Sequence, residues 1–419
     1  MKCDVAIVGA GLSGLAAAIH LQREGHDVRL FEKSDAPGGR VRTDRLDGFQ
    51  LDRGFQVYLT GYPEARRMLD HTRLQLKAFE PGAMVRVGDH FERVADPLRL
   101  PRYAWETLTS NVGNLLDKAR VGLMQLQATR RSLDDIMHAP EKSTIEELNE
   151  WGFSDRMIDR FFRPWLGGIF LERDLATSSR MMNFVFRMMA TGKTVLPAAG
   201  IQSIPEQLAS RLRTGTLSLD CGVAAVAPDR LKLEDGRTIW ARAVILATQA
   251  PETARLLGRK RLDVGSRSVT CVYFGAHQSP VDGAWLVLNG DGNGAVNNLH
   301  VASEVSASYA PLGSSLISAT VLGNPVISDR ELVSAVRGQL RGWFGTVANR
   351  WTHLRTYRIR HAQPLQLTGF RDRAKRAPVR DGVFLAGDHL DTASINGALK
   401  SGRRTAAFVN RHLNDGKIP

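Results

Sequence analysis

The chain opens with an unbroken apolar run, Val5 to Val8, that reads as a strand buried on both faces. It passes through Gly9, Gly11 and Gly14 into a helical pattern from Leu15 to Glu24, and a second apolar run follows at Val28 to Phe31. After Arg42, TDRLDGFQLDRGFQVY alternates with period two around Gly48, as a β-hairpin does. From Tyr62 to about Ala190 the pattern is largely helical, and Ser143-Thr144-Ile145-Glu146 has the form of a capping box. Leu196 to Leu212 gives a glycine turn and a helix. Leu217 to Leu246 gives short strands with Asp235-Gly236 as a hairpin signal. A strand at Ser268 to Phe274 opens a mixed region with a helix at Asp329 to Phe344. Val383 to Val409 then gives a buried strand, a loop and a helix rich in small residues.

Strand, glycine turn and helix at the start of the chain carry the first chemistry. Gly9 permits the tight turn off the strand, Gly11 lets the backbone approach a pyrophosphate, and Gly14 lets the helix pack closely on the sheet. The helix that starts near Leu12 points its N–H groups and positive dipole end at the same place. Glu32, eighteen residues after Gly14, stands where a carboxylate accepts hydrogen bonds from both ribose hydroxyls of a dinucleotide. That acid argues against a 2′-phosphorylated dinucleotide. Gly290, Gly292 and Gly294 have no helical pattern after them and read as a turn, so no nicotinamide dinucleotide is expected there.

The next residues indicate which dinucleotide. Gly38, Gly39 and Arg40, in KSDAPGGRVRT, resemble the GGR continuation of the superfamily of flavin-dependent amine oxidases and carotenoid desaturases. At the other end, GDHLDTASINGALKSGRRTA is similar to the second FAD fingerprint of plant-type phytoene desaturases, through Asp388, Ser394, Ile395, Asn396, Gly397 and Ala398. Asp52, Gly54, Gln56, Gly61 and Tyr62 resemble a segment of squalene-associated desaturases and read equally as a β-hairpin with a turn glycine.

The resemblance implies an α/β fold, with a Rossmann-like FAD-binding domain of the GR2 type, discontinuous over 1–75, 192–265 and 375–419. A mixed α+β substrate domain with a helical insertion is implied over 76–191 and 266–374. FAD is the implied cofactor. Its implied contacts are Gly9, Gly11, Leu12, Ser13, Gly14, Glu32, Lys33, Gly38, Gly39, Arg40, Gly54, Phe55, Gln56, Val223, Ala247, Gly387, Asp388, Ser394, Ile395, Asn396 and Ala398. The family's Pro-Xaa-Gly-Gly-Met segment is replaced here by Ala199-Gly200-Ile201, which leaves Gly200 to approach the cofactor.

Departures from the family narrow the reaction. SVTCVYFGAH lacks the lysine that amine oxidases carry there, YRIRHAQPLQL lacks their tryptophan, and Gly-Glu is Gly-Asp as in the desaturases. The resemblance therefore implies a desaturase or dehydrogenase passing hydride from an apolar, isoprenoid-like substrate to flavin N5, with oxygen or a quinone as electron acceptor. Gln56 and His361 are the candidate catalytic residues. A flavin amine oxidase, or a flavin-containing isoprenoid-binding protein with little turnover, are the alternatives. Phe161 to Phe170 and Met181 to Met189 suit either a pocket for an irregular apolar ligand or a buried helical core.

Charge adds a partner. Lys and Arg number 56 against 43 Asp and Glu, a net charge of +13 that favours anionic partners, among them an anionic membrane surface met by Phe161 to Met189. The basic groups Arg259, Lys260, Arg261 and Arg371, Arg373, Lys375, Arg376 lack interleaved aromatics, so nucleic acid is not expected. Cys3, Cys221 and Cys271 show no metal-ligand or CxxC spacing and read as core thiols; no metal site is expected. MKCDVAIVGA runs straight into the first strand without a leader, and no apolar run spans a bilayer. The expected location is the cytoplasm, with any membrane contact peripheral.

Overall fold

The computed structural model describes residues 2–370 and 382–415. The basic group from Arg371 to Arg376 and the boundary expected at 375 lie outside the described residues. Two seven-stranded sheets organise the chain. The first is centred on Lys2–Val8, flanked in parallel by Val28–Phe31 and Thr238–Leu246. Leu217–Ser218 extends one edge, and Arg230–Leu233 and Val223–Ala227 extend the other antiparallel. Val383–Leu385 pairs in parallel with the end of Thr238–Leu246, so the last strand returns to the middle of the first sheet.

The apolar run at the start of the chain is explained by this position. Val5 and Ile7 face helices Leu12–Arg23 and Ile395–Asp415, while Ala6 and Val8 face a cluster with Leu231, Val244 and Leu385. A parallel strand covered on both sides has no place for a polar residue.

The second sheet runs in the order Thr352–Pro364, Ser266–Ala276, Ser315–Leu322, Asn298–Val301, Leu286–Asn289, Gly82–Val87, His90–Ala95. Helix Asp329–Phe344 buries Leu332, Val336 and Leu340 against its Phe274 and Ile317. Three strands in the region read as largely helical, Leu76–Ala78, Gly82–Val87 and His90–Ala95, correct that reading. A local signal exists, since Gly88 turns the chain with φ 62° between two short alternating runs. Their stabilising partner is remote: Gly82–Val87 pairs with Leu286–Asn289, far along the chain. Helices do fill the rest of that region, and Ser143 and Glu146 form the capping box. Phe162, Leu166, Met182 and Phe184 are buried in the main core, so most of Phe161 to Met189 is interior. Gly290, Gly292 and Gly294 lie in the turn between Leu286–Asn289 and Asn298–Val301.

The three cysteines are buried and unpaired with one another, and burial pushes the Cys3 and Cys271 thiols up to about 12. Such thiols are inert at neutral pH.

Asp52 joins the parts. Its carboxylate accepts from Thr43 Oγ1 at 2.6 Å, from the Ile201 amide at 3.0 Å and from Tyr309 Oη at 2.9 Å, and its carbonyl accepts from Tyr273 Oη at 2.8 Å. Hairpin, Gly200 turn and second sheet thus meet on one buried acid. Burial dominates over these donors and raises its pKa to about 6. An acid raised in the folded state contributes stability below its unfolded pKa and loses it as pH climbs through the folded value. We expect unfolding free energy to fall by about 2–3 kcal/mol between pH 4 and 7 from this residue. Urea titrations of wild type and Asp52→Asn across that range check it, because only the wild type should show this component; parallel profiles would remove Asp52 as the source.

Candidate active site

The glycine turn makes a cradle with one open side. Gly9 has φ 97°, and a Cβ there would lie 2.9 Å from the Ala247 carbonyl oxygen; at Gly14 it would lie 2.0 Å from that of Gly9. At Gly11 a Cβ would meet nothing within 4 Å. The first and third glycines are therefore required by the protein's own backbone, whereas the middle one faces unfilled space. No side chain caps the helix that begins at Leu12, which leaves its N-terminus for a ligand. Ser13 is turned away, donating its hydroxyl to the Ala398 carbonyl at 2.9 Å.

Glu32 stands at the rim of this cradle. Its carboxylate accepts from the Ala10 amide at 2.7 Å and from the Ser34 amide and hydroxyl at 3.0 and 2.7 Å. Lys33 points elsewhere and pairs with exposed Glu234 at 2.9 Å. Gly38 donates its amide to the Ala10 carbonyl at 2.9 Å, and the absent side chain of Gly39 would lie 3.5 Å from Gly11 Cα. The second glycine loop is thereby laid beside the first.

Arg40 connects the ends of the chain. Its guanidinium donates to Asp388 Oδ1 at 2.7 Å and to the Ala362 carbonyl at 2.9 Å, across 348 residues in the first case. At Gly387 a Cβ would lie 2.3 Å from the His389 ring, so a side chain there would require that ring to move. Ser394 accepts the Gly397 amide at 3.0 Å and caps helix Ile395–Asp415. Asn396 is buried and accepts the Glu64 amide at 2.9 Å, which makes its side chain a tie between helices. Ile395 and Ala398 are half-buried in the same turn.

The remaining candidates fall around this centre. Gly54 has φ 93° and sits against Ile359. Phe55 packs on the His300 ring at 4.8 Å. Gln56 donates its amide nitrogen to the Arg40 and Arg53 carbonyls at 2.8 and 2.9 Å. Gly200, with φ 88°, packs on Thr43 instead of the glycine cradle. Ala247 donates its amide to the Val8 carbonyl beneath Gly9, and buried Val223 begins the edge strand with its carbonyl near Arg255. His361 accepts or donates at Nδ1 with Ser266 Oγ at 2.7 Å and shares a cleft with Arg40, Gln249 and Asp388.

A second cleft lies across Pro364. Phe170, Thr177, Met181, Arg267, Leu365 and Ala393 are among its walls. Arg267 is ion-paired with buried Glu172, whose other oxygen accepts the Thr177 amide and hydroxyl at 2.6 Å each, and Arg267 Nε has no partner. Sequence reasoning missed Glu172, Arg267 and His300. His300 is fully buried, its Nδ1 unpartnered, and burial lowers its pKa to about 3, so it stays neutral. No spacing links these three residues: Arg267 and His300 lie on different strands of the second sheet and Glu172 follows helix Arg163–Phe170, and of the three Arg267 lines a cleft. Among the described residues no cluster of His, Cys, Asp or Glu is arranged to hold a metal ion.

An open glycine cradle at an uncapped helix, an acid at its rim and an arginine joining it to the last strand form a donor set that fits the pyrophosphate and ribose of FAD. Residues 12–410 match the family described as Flavin containing amine oxidoreductase. The chain belongs to that family. Its members fix the cofactor as FAD and the activity as oxidoreduction. Coproporphyrinogen III oxidase of Propionibacterium freudenreichii subsp. freudenreichii is 27% identical over 82% of this chain and 78% of its own length. Phytoene dehydrogenase of Streptomyces griseus is 26% identical over 61% of this chain and 56% of its own. 4,4'-Diapophytoene desaturase of Staphylococcus haemolyticus is 50% identical over 12% of this chain and 10% of its own. Among solved structures, wild-type putrescine oxidase bound to putrescine superposes with a TM-score of 0.74 at 19% identity, covering 98% of this chain and 99% of that one, which shows a shared fold.

The two glycines separate folding from cofactor binding. Gly11→Ala should leave the melting temperature of apoprotein nearly unchanged, since its φ of −66° suits alanine, yet weaken FAD binding at least ~10-fold. Gly14→Ala should cost about 1–3 kcal/mol of stability through backbone overlap. Equilibrium dialysis with FAD and thermal melts of both variants read these outcomes.

Proposed function

We propose that the chain is an FAD-dependent desaturase or dehydrogenase acting on a large apolar substrate of isoprenoid type. The observation that supports this reading is the small cleft beside Ala393, where Phe170, Met181, Pro364 and Leu365 stand with Thr177, Arg267, Gln363 and Gln366 next to the second FAD fingerprint. The acids nearest to the clefts are committed: Asp388 to Arg40, and Glu172 to Arg267. A cationic amine would meet guanidinium groups there, and strand Ser266–Ala276 bears no lysine.

Bound FAD supplies the hydride acceptor, and the protein's task is to place one C–H bond against it and keep water away. The residues proposed to hold FAD are those of the glycine cradle, Glu32, Arg40 and the Gly387–Ala398 segment. The domain division proposed is the one the two sheets suggest, the first for FAD and the second for substrate. Gln56 holds the loop that carries Phe55, which makes it a positioning residue. His361, oriented by Ser266, lines the face beside Arg40 and Asp388. The electron acceptor proposed is oxygen or a quinone.

A second reading is favoured by one comparison. Similarity to the coproporphyrinogen III oxidase spans 82% of the chain, while that to the diapophytoene desaturase is confined to 12%. A porphyrinogen is also large and apolar at its ring.

Anaerobic titration of the holoprotein with isoprenoid micelles, porphyrinogens and polyamines, read at the flavin absorbance, decides. Bleaching by isoprenoids is the expected result. Bleaching by porphyrinogens alone installs the second reading, bleaching by polyamines overturns both, and saturable binding without bleaching makes the chain a carrier.

A further inference from the structure

Of the large apolar side chains exposed among the described residues, half lie within residues 98–126. Helix Ala104–Thr109 shows Trp105, 75% exposed, and Leu108. Helix Leu115–Arg130 shows Leu115, Leu116, Leu123 and Leu126, between 46% and 66% exposed, at a spacing that places them along one side of the helix. Its buried side is Asp117, Met124 and Ala128. The leucine face is thus turned to solvent, opposite to the usual arrangement.

Hydrogen bonds fix that rotation. Asp117 is the third helical residue and accepts the Asn114 amide at 2.9 Å in a capping box. It also accepts the Ser154 amide at 2.9 Å and the Ser154 hydroxyl at 2.6 Å. With the acid held inward by three donors, the leucines on the opposite side cannot reach the core.

We infer that this leucine face is a docking surface for an anionic lipid bilayer. Contiguous exposed apolar surface of this kind marks an interaction site, and its chemistry favours lipid. Arg102 and Arg130 are exposed at its margins, and Lys118 donates to the Leu108 and Ser110 carbonyls beside it. Glu106 is paired with Arg93 at 2.7 Å, which offsets the one exposed acid between Trp105 and Leu108. Apolar side chains with a tryptophan and flanking cations suit a headgroup boundary. The net charge of +13 over the whole chain works against approach of a second copy and favours anionic lipid. Among the described residues no helix is long and apolar enough to cross a membrane, so contact is at the surface. The surface differs from Phe161 to Met189, which is largely interior, and the inference does not rest on the identity of the substrate.

Co-sedimentation of the full-length holoprotein with phosphatidylcholine vesicles, with and without phosphatidylserine, tests it. At low salt we expect at least ~10-fold tighter binding to the anionic vesicles, lost in the variant Leu115→Gln, Leu116→Gln, Leu123→Gln, Leu126→Gln. Because the four side chains are exposed, that variant should keep its flavin content and melting temperature. Arg102→Gln with Arg130→Gln should weaken binding in low salt and little in high salt. Equal binding to both vesicle types, or a leucine variant that is folded and still binds, overturns the inference. So does a dimer in light scattering that the leucine variant converts to a monomer, since a second copy would then cover the face. A leucine variant that fails to fold leaves the decision to the arginine pair, whose unchanged binding at low salt also counts against it.

Discussion

The structure depends on the closure of its two ends around one cradle. Arg40 and Asp388 form an ion pair in which the acid is largely buried, and a partly buried pair of this kind is costly to break because either partner is left uncompensated. Around it the first and last helices approach closely. Gly402 lies where a Cβ would be 2.2 Å from the Ser13 carbonyl oxygen, and Ser13 in turn donates to Ala398. Beside these contacts the last strand pairs in parallel with Thr238–Leu246. The cradle, to which residues near 10, 40 and 390 contribute, is therefore closed by tertiary contacts between distant segments.

This closure explains what was legible in the sequence. The glycine turn, Glu32 and the capping box at Ser143 are local, and each constraint acts within a few residues of its cause. The two fingerprints were legible as separate motifs because each is built on one strand and one helix. Their junction through Arg40 was not, since no local rule pairs residues 348 apart. Strand Gly82–Val87 takes one partner, His90–Ala95, across the local Gly88 turn, but its other partner, Leu286–Asn289, comes from far along the chain and escapes a local reading. Lys33 and Asn396 illustrate the converse. Both sit in motif positions, yet their side chains are used by Glu234 and by the Glu64 amide.

Helix Leu115–Arg130 shows how polar bonds override apolar periodicity. Its leucines alone favour turning the helix inward, by about 1.5–3 kcal/mol for each side chain fully buried. Reversing the helix would bury those leucines only by taking Asp117 away from Ser154 and Asn114, and a carboxylate stripped of its donors in the interior costs several kcal/mol. The core on that side is already filled by Met124 and Ala128. Periodicity identifies a stripe, and the capping bond decides which way it faces.

The division of labour along the chain follows from these constraints. The glycine cradle is built from the ends of the chain and is set by backbone geometry, where a single methyl at Gly9 or Gly14 overlaps a carbonyl. The walls of the cleft beside Pro364 come mainly from residues 170–366, where packing is side chain against side chain and tolerates change. In the clefts beside Pro364 the cationic groups Arg40 and Arg267 each hold an acid, so the charge they present is balanced, and the remaining walls mix apolar residues with uncharged polar ones such as Thr177, Gln363 and Gln366. The two arginines thus share one structural role: each closes a contact between distant segments by holding a carboxylate in an ion pair.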